Sequence, residues 1–198
     1  MVKTDGSCVY DLIPSFIGEL GVVISPGVKD RVRMIFLPRE AVSMGDRIRE
    51  AFPEASPCVG KRGRTATQIA SLLAGDSVNI SLSGLDWEGL GKFERRVLTT
   101  VHRIPRGRVM TYGGVAAVVG SAGGARAVGN VMAQNRFPLA IPCHRVIRSD
   151  RRLGGFGGGP AMKRALLERE GVSFDKKGRV LPVHILSPAL PTSGRQDG

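Results

Sequence analysis

A cysteine and a histidine stand side by side in the run Ala140-Ile141-Pro142-Cys143-His144-Arg145-Val146-Ile147. Such a pair can make a nucleophile. Only the thiolate attacks, and a free thiol with a pKa of ~8.5 needs a neighbouring base or a positive field to form it. His144 can be the base, and the flanking arginines can supply the field. Pro142 restricts Ile141 to extended backbone and removes one amide donor. Cys143 is therefore expected just past a strand or turn, held in place. An unpaired cysteine amid Ile and Val also fits a small core residue, and the dipeptide alone does not choose.

The flanking segments must position that pair. Downstream, Leu153-Gly154-Gly155-Phe156-Gly157-Gly158-Gly159 is a glycine-rich loop suited to close backbone approach. Pro160 then opens a helix that runs from Ala161 to Glu170, with Gly171 as its C-terminal cap. Glu168 and Glu170 fall in its last turn, where a carboxylate opposes the helix dipole at a cost of ~0.3–1 kcal/mol. Each reads either as a solvated surface acid or as a carboxylate held to orient a histidine. Upstream, Phe93, Val97, Leu98 and Val101 recur at helical spacing, predicting a helix over 92–103 that Ile104-Pro105-Arg106-Gly107 breaks. Tyr112 to Val119 and Gly123 to Gln134 predict two short helices joined by a tight Gly/Ser turn. Those are the proportions of a helix-turn-helix, with Arg126 near the start of the second helix. An ordinary helical hairpin has the same outline.

The first 85 residues carry no evident chemistry. Phe16 to Ile24 and Val32 to Leu37 predict two strands of a hairpin around Ser25-Pro26-Gly27. A helix is expected over 39–52, a loop over 53–64, a short helix over 65–73 and a strand over 78–82. This part reads as a small α/β platform.

Composition narrows the partners. The 198 residues, 42% hydrophobic, suffice for a real core, and the formal net charge of +12 is the footprint of a polyanion binder. No apolar run approaches the ~20 residues of a membrane span, and the N-terminus lacks a signal-peptide pattern. Cys8, Cys58 and Cys143 are odd in number and widely spaced, which predicts free thiols in a reducing cytoplasm. No CxxC or HxxxH spacing suggests zinc.

The run Ile141-Pro142-Cys143-His144-Arg145-Val146 resembles the active-site motif of the O6-alkylguanine-DNA alkyltransferases, the methylated-DNA–protein-cysteine methyltransferases. Its surroundings agree in order and spacing. Thr111-Tyr112-Gly113 resembles the motif opening the first DNA-binding helix, and Arg126-Ala127-Val128-Gly129 resembles the recognition-helix motif. Asn135 stands at the family's asparagine, and Glu170-Gly171 resembles the helix end that carries its glutamate. The resemblance covers about residues 88 to 175. It implies a ribonuclease-H-like α/β domain over 1–85 and a mainly α domain with a helix-turn-helix over 86–185, while the Pro, Ser and Gly of the tail over 186–198 predict disorder there.

The implied activity is single-turnover repair of duplex DNA. An O6-alkylguanine is flipped from the stack, and its alkyl group passes irreversibly to Cys143; O4-alkylthymine is a second expected substrate. His144, oriented by Glu170, draws the thiol proton through a water. Tyr112 donates toward the purine, and Asn135 holds the local turn. Arg126 fills the vacated stack in the minor groove, while Ala125, Ala127 and Gly129 permit close approach. Met132, Phe156, Gly157 and Gly158 are the expected pocket. Phe156 and Gly157 replace a Tyr and Ser common among relatives, so a hydroxyl near O6 is absent. No cofactor and no metal are expected, and the protein is expected to act as a cytoplasmic monomer. Two other classes fit parts of the chain. A non-catalytic member that recruits other repair factors would lack the nucleophile present at Cys143, and a Cys-His hydrolase would not need the charge or the paired helices.

Overall fold

The computed structural model describes residues 8–25, 31–39, 42–59, 63–76, 78 and 80–188. Its N-terminal part is organised by one strand buried on both faces, β2 (Leu20–Ser25). Leu20, Val22 and Ile24 pack in the main core with Ile69 and Leu73 of α2 (Arg64–Ala74). Val23 faces the other way, toward Met44 and Ile48 of α1 (Met44–Ala51). The two-residue period of a strand thus places one helix on each side of the sheet. At Gly21 the approach is so close that a Cβ would lie 2.6 Å from Ile48 Cδ1.

β2 pairs antiparallel with β1 (Val9–Ile13) and with β3 (Arg31–Phe36), and β4 (Ser56–Pro57) joins β1 in parallel, giving the order β3-β2-β1-β4. The expected hairpin is therefore present, although its turn lies partly outside the described residues. Its first strand begins at Leu20 rather than Phe16, because Ser15 to Gly18 close a turn with a 3.0 Å amide-to-carbonyl bond. β1 and β4 went unread in the sequence. The first is short and stops at Pro14, and the second is two residues inside the expected loop. Pro57 is tolerated there because β4 is an edge. The strand expected over 78–82 is not formed at Ile80 to Leu82. The chain instead closes a 3₁₀ turn over Leu82–Gly84, in which Ser81 accepts from the Ser83 amide. Serine side chains that bond nearby backbone compete with ladder pairing.

In the C-terminal part, α3 (Lys92–His102), α4 (Tyr112–Val118), α5 (Ala125–Ala133) and α6 (Gly159–Arg169) follow the expected helices to within a few residues. They bring Val97, Val101, Val115, Val128 and Leu166 into the same core that holds Leu20 and Ile69. Two links fasten the outer edge of β3 to this part: Ile35 N donates to Arg136 O at 2.8 Å, and Asp86 N to Val32 O at 2.8 Å. A parallel ribbon of β5 (Met110–Thr111) and β6 (Val146–Ile147) sets the start of α4 beside the Cys-His turn. Leu186, the first residue of the expected tail, donates its amide to Val109 O at 2.8 Å. Residues 189–198 of that tail lie outside the described residues. No helix among the described residues is long and apolar enough to cross a membrane.

Candidate active site

Cys143 opens a single 3₁₀ turn, Cys143–Arg145, that leads directly into β6. Its amide donates to Ile141 O at 2.7 Å, as expected of a residue held just past Pro142. The thiol side is only 7% exposed, yet it reaches the floor of an open pocket. Burial pushes the thiol pKa up, while hydrogen bonding by Asn135 and the positive charge of Lys163 pull against that. Asn135 also ties the approaching loop, donating from Nδ2 to Ile141 O at 3.1 Å and accepting from Phe137 N at 3.0 Å.

His144 is 1% exposed, and burial lowers its pKa against the upward pull of Glu170. Its Nε2 lies 2.9 Å from Glu170 Oε1. A carboxylate only accepts, so a neutral imidazole there carries its proton on Nε2. Nδ1 is then the basic nitrogen, and it is one of the buried polar atoms without a hydrogen-bond partner. Burial alone would raise the Glu170 carboxyl, but His144 and Arg145 outweigh it and hold the pKa at about 2. Of the two acids considered from sequence, Glu170 is the held one. Glu168 pairs with Arg164 at 2.8 Å on the exposed face.

Arg145 does not serve as the field for the thiol. Its Nε and Nη2 grip the two oxygens of Glu170 at 2.9 and 2.7 Å, and Nη1 donates to Ile104 O at 2.6 Å. The nearby cation is Lys163 of α6, fully buried, with Nζ donating to Val146 O at 2.6 Å and Gly155 O at 3.2 Å. Burial brings its pKa down to about 8, so it remains mostly protonated at neutral pH. Sequence reasoning missed it because one lysine in a helix reads as surface. Lys163→Met keeps the length and removes the charge. Its expected effect is an upward shift of the pH–rate profile of Cys143 alkylation by ~1 unit, with the rate at pH 7 falling ~10-fold. Single-turnover rates across pH measure this, and an unmoved profile in a folded variant would leave Lys163 a purely structural anchor.

Tyr112 is the first residue of α4, whose N-terminus is capped by Thr111 accepting from Gly114 N at 2.9 Å. Burial and the neighbouring Cys143 raise the phenol pKa, so the hydroxyl keeps its proton and can donate. Gly154, at φ +71°, presses against this ring; a Cβ there would lie 3.1 Å from the Tyr112 hydroxyl.

The pocket above Cys143 has a volume of about 320 Å³. Of the residues named for the pocket from the sequence, Met132, Phe156 and Gly157 line this cavity. Gly158 does not. It caps the N-terminus of α6, where a Cβ would meet Met162 Sδ. Phe156 meets the His144 ring edge-on at 6.3 Å between centroids. The N-terminal part is more than a platform, because β3 and the segment after it supply Met34, Phe36, Leu37 and Arg39, and α1 supplies Arg47.

On α5, Arg126 and Ala127 are exposed, whereas Ala125 and Gly129 are half-buried. A Cβ on Gly129 would meet nothing within 4 Å, so internal packing does not require that glycine. Among the described residues, no three His, Cys, Asp or Glu side chains gather where they could hold a metal ion.

Residues 92–172 match the family described as 6-O-methylguanine DNA methyltransferase, DNA binding domain. A methylated-DNA–protein-cysteine methyltransferase of Methanothermobacter thermautotrophicus is 41% identical over 135 residues, 68% of this chain and 75% of that protein. The chain belongs to this methyltransferase family. The family also reaches a DNA base-flipping protein of Thermus thermophilus, 33% identical over 159 residues, 80% of this chain and 97% of that one. The crystal structure of the Mycobacterium tuberculosis O6-methylguanine methyltransferase aligns at TM-score 0.67 and 31% identity, covering 82% of this chain and 92% of that one. The same values hold for that organism's OGT in complex with DNA. The mixed α/β architecture described above is the one these methyltransferase structures share.

Proposed function

We propose that this protein repairs duplex DNA by moving the alkyl group of an O6-alkylguanine onto Cys143, once per molecule. The observation that carries this is the pairing of a buried thiol at a pocket floor with a histidine whose free Nδ1 is set by Glu170. His144 Nδ1 takes the thiol proton through a bridging water. Cys143 Sγ bonds to the alkyl carbon as the carbon–O6 bond breaks, and the electron pair leaves with guanine. Tyr112 donates toward the purine to neutralise it, and Asn135 keeps the turn in place. The thioether has no hydrolytic exit, so turnover stops. This shares the nucleophile, base and orienter of cysteine hydrolases without their second step.

The lesion is out of reach within a stacked duplex. Extrusion costs a few kcal/mol, least for a damaged base. In this reading α4 and α5 form a helix-turn-helix entering the minor groove, and the sheet part is a ribonuclease-H-like domain ending near residue 85. Ala125, Ala127 and Gly129 allow close approach, and the protein acts as a monomer. Incubation with duplex DNA carrying labelled O6-methylguanine tests the proposal. One label per protein, stable to denaturation, is the expected result.

The relationship to a DNA base-flipping protein supports a second reading, in which the lesion is bound and displayed without transfer. Tight binding with no label on the protein would establish that reading and exclude repair by transfer.

Arg126 is placed in the vacated stack. Arg126→Ala is expected to slow duplex repair ~100-fold while leaving reaction with the free O6-alkylguanine base within ~3-fold. Arg126→Lys keeps the charge and loses the planar guanidinium. It is expected to restore binding to undamaged DNA better than it restores duplex repair. Single-turnover rates on both substrates measure this. Equal loss on base and duplex would assign Arg126 to pocket or fold, and full rescue by lysine would make it a phosphate contact.

A further inference from the structure

We propose that the pocket over Cys143 selects O6 substituents that carry a negative charge, carboxyalkyl groups in particular. Three arginines, Arg39, Arg47 and Arg136, line it, and no aspartate or glutamate does so among the described residues. This inference rests on the alkyl-transfer reading and concerns which substituents that site prefers.

The three arginines arrive from different elements and are held by different means. Arg47 of α1 donates from Nη1 to Leu37 O at 2.7 Å and lies over the Phe36 ring at 5.4 Å. Arg39 is exposed just beyond β3. Arg136 donates from Nη2 to Glu88 O at 2.7 Å and stacks over Phe137, while its buried Nε has no hydrogen-bond partner. Two acids meet this group by their backbone carbonyls: Glu88, at 2.7 Å, is an exposed residue, and Asp86, at 3.4 Å, turns its carboxylate to Arg33 at 3.4 Å. Burial and repulsion from Arg39 both lower the Arg47 pKa, and among the described residues no acidic side chain lines the pocket beside these two cations. An anion placed among them relieves that repulsion and meets fork-shaped donors that suit a carboxylate. Met34 and Phe36 give the same wall an apolar floor for the carbon chain.

The covalent step is unchanged. For a carboxymethyl group, the Cys143 Sγ–CH2 bond forms and the CH2–O6 bond breaks. The electron pair leaves on guanine, which takes up one proton in exchange for the one lost by the thiol. The carboxylate is retained on the protein as S-carboxymethylcysteine.

A DNA phosphate offers the same anionic chemistry to these arginines, so the test removes DNA. The full chain is reacted with two free bases of equal heavy-atom count, O6-carboxymethylguanine and O6-carbamoylmethylguanine. Rates of Cys143 alkylation are read by mass spectrometry and divided by each base's rate with a simple thiol. The normalised ratio is expected to favour the carboxylate ~10-fold, and to fall toward one in Arg39→Gln and in Arg47→Gln. Because the ratio is taken within each variant, partial loss of folded protein cancels. A wild-type ratio at or below one, or a ratio untouched by both substitutions, overturns the inference. Loss of duplex repair in those variants with a wild-type ratio of one assigns the arginines to DNA phosphates. O6-methylguanine in duplex DNA is run alongside: no transfer from it defeats the alkyl-transfer reading itself, whereas normal transfer with no charge preference defeats only this inference.

Discussion

Cys143→Ser is expected to abolish alkyl transfer, with the single-turnover rate falling at least ~10⁴-fold, while affinity for alkylated duplex DNA stays within ~3-fold. The expectation follows from where each cysteine sits. Cys143 is at the pocket floor, within reach of Asn135 and the field of Lys163. Cys8 is buried against the sheet, with Arg33 Nη1 at 3.7 Å and Ser25 Oγ at 4.0 Å. Neither Cys8 nor Cys58 lines the pocket. A serine hydroxyl at position 143 fits the same space but is far harder to ionise, so binding and chemistry separate in this variant. Peptide mass spectrometry of the reacted wild type should place the alkyl group on Cys143 alone. An adduct on Cys8 or Cys58, or residual transfer by the serine variant, would remove Cys143 from the acceptor role.

Much of this site is written locally and could be read without a structure. Pro142 fixes the approach to Cys143, and the apolar periodicity around Val97 and Val101 gives α3 almost to the residue. Helical spacing alone names Glu170 only as one of two acids in a last turn, since it says nothing of which carboxylate faces inward, and the preference for Glu170 comes from the resemblance of Glu170-Gly171 to the family's helix end. The choice is made by tertiary partners: Arg145 and His144 converge on Glu170, and Glu168 faces Arg164. Lys163 shows the converse. Helical lysines are almost always solvated, and only the carbonyls of Val146 and Gly155 explain a buried one. The pocket wall from Arg39 and Arg47 was equally hidden, because it depends on the edge of β3 pairing with Arg136 O across about a hundred residues of sequence. Ladder pairing of that kind has no local signature. The missed strands β1 and β4 fail for the same reason, since each is defined by its neighbour more than by its own residues.

Glu170→Gln is expected to cost both stability and rate. Glu170 accepts three hydrogen bonds, two from Arg145 and one from His144, in a site where it is only 8% exposed. Glutamine offers one carbonyl oxygen in place of two anionic ones, and its NH2 faces donors. Breaking one partner of a buried ion pair destabilises by ~3–5 kcal/mol, and the basic nitrogen of His144 loses its fixed tautomer, which at typical worth for a general base slows transfer ~100-fold. The pH dependence separates this from generic damage. In the folded protein the Glu170 carboxyl is held down from 4.5 to about 2. Between those values the unfolded chain binds the proton and the folded protein does not, so folding loses stability as pH falls. The contribution is therefore complete above about pH 4.5 and disappears as pH drops toward 2. Glutamine cannot titrate, so the difference in stability between wild type and Glu170→Gln should be largest near pH 7 and shrink steadily across that window. Denaturant unfolding of both proteins at pH 7, 4.5, 3.5 and 2.5 would show it. A gap that stays constant from pH 7 to 2.5 would mean that Glu170 stabilises by shape rather than by its charge on Arg145.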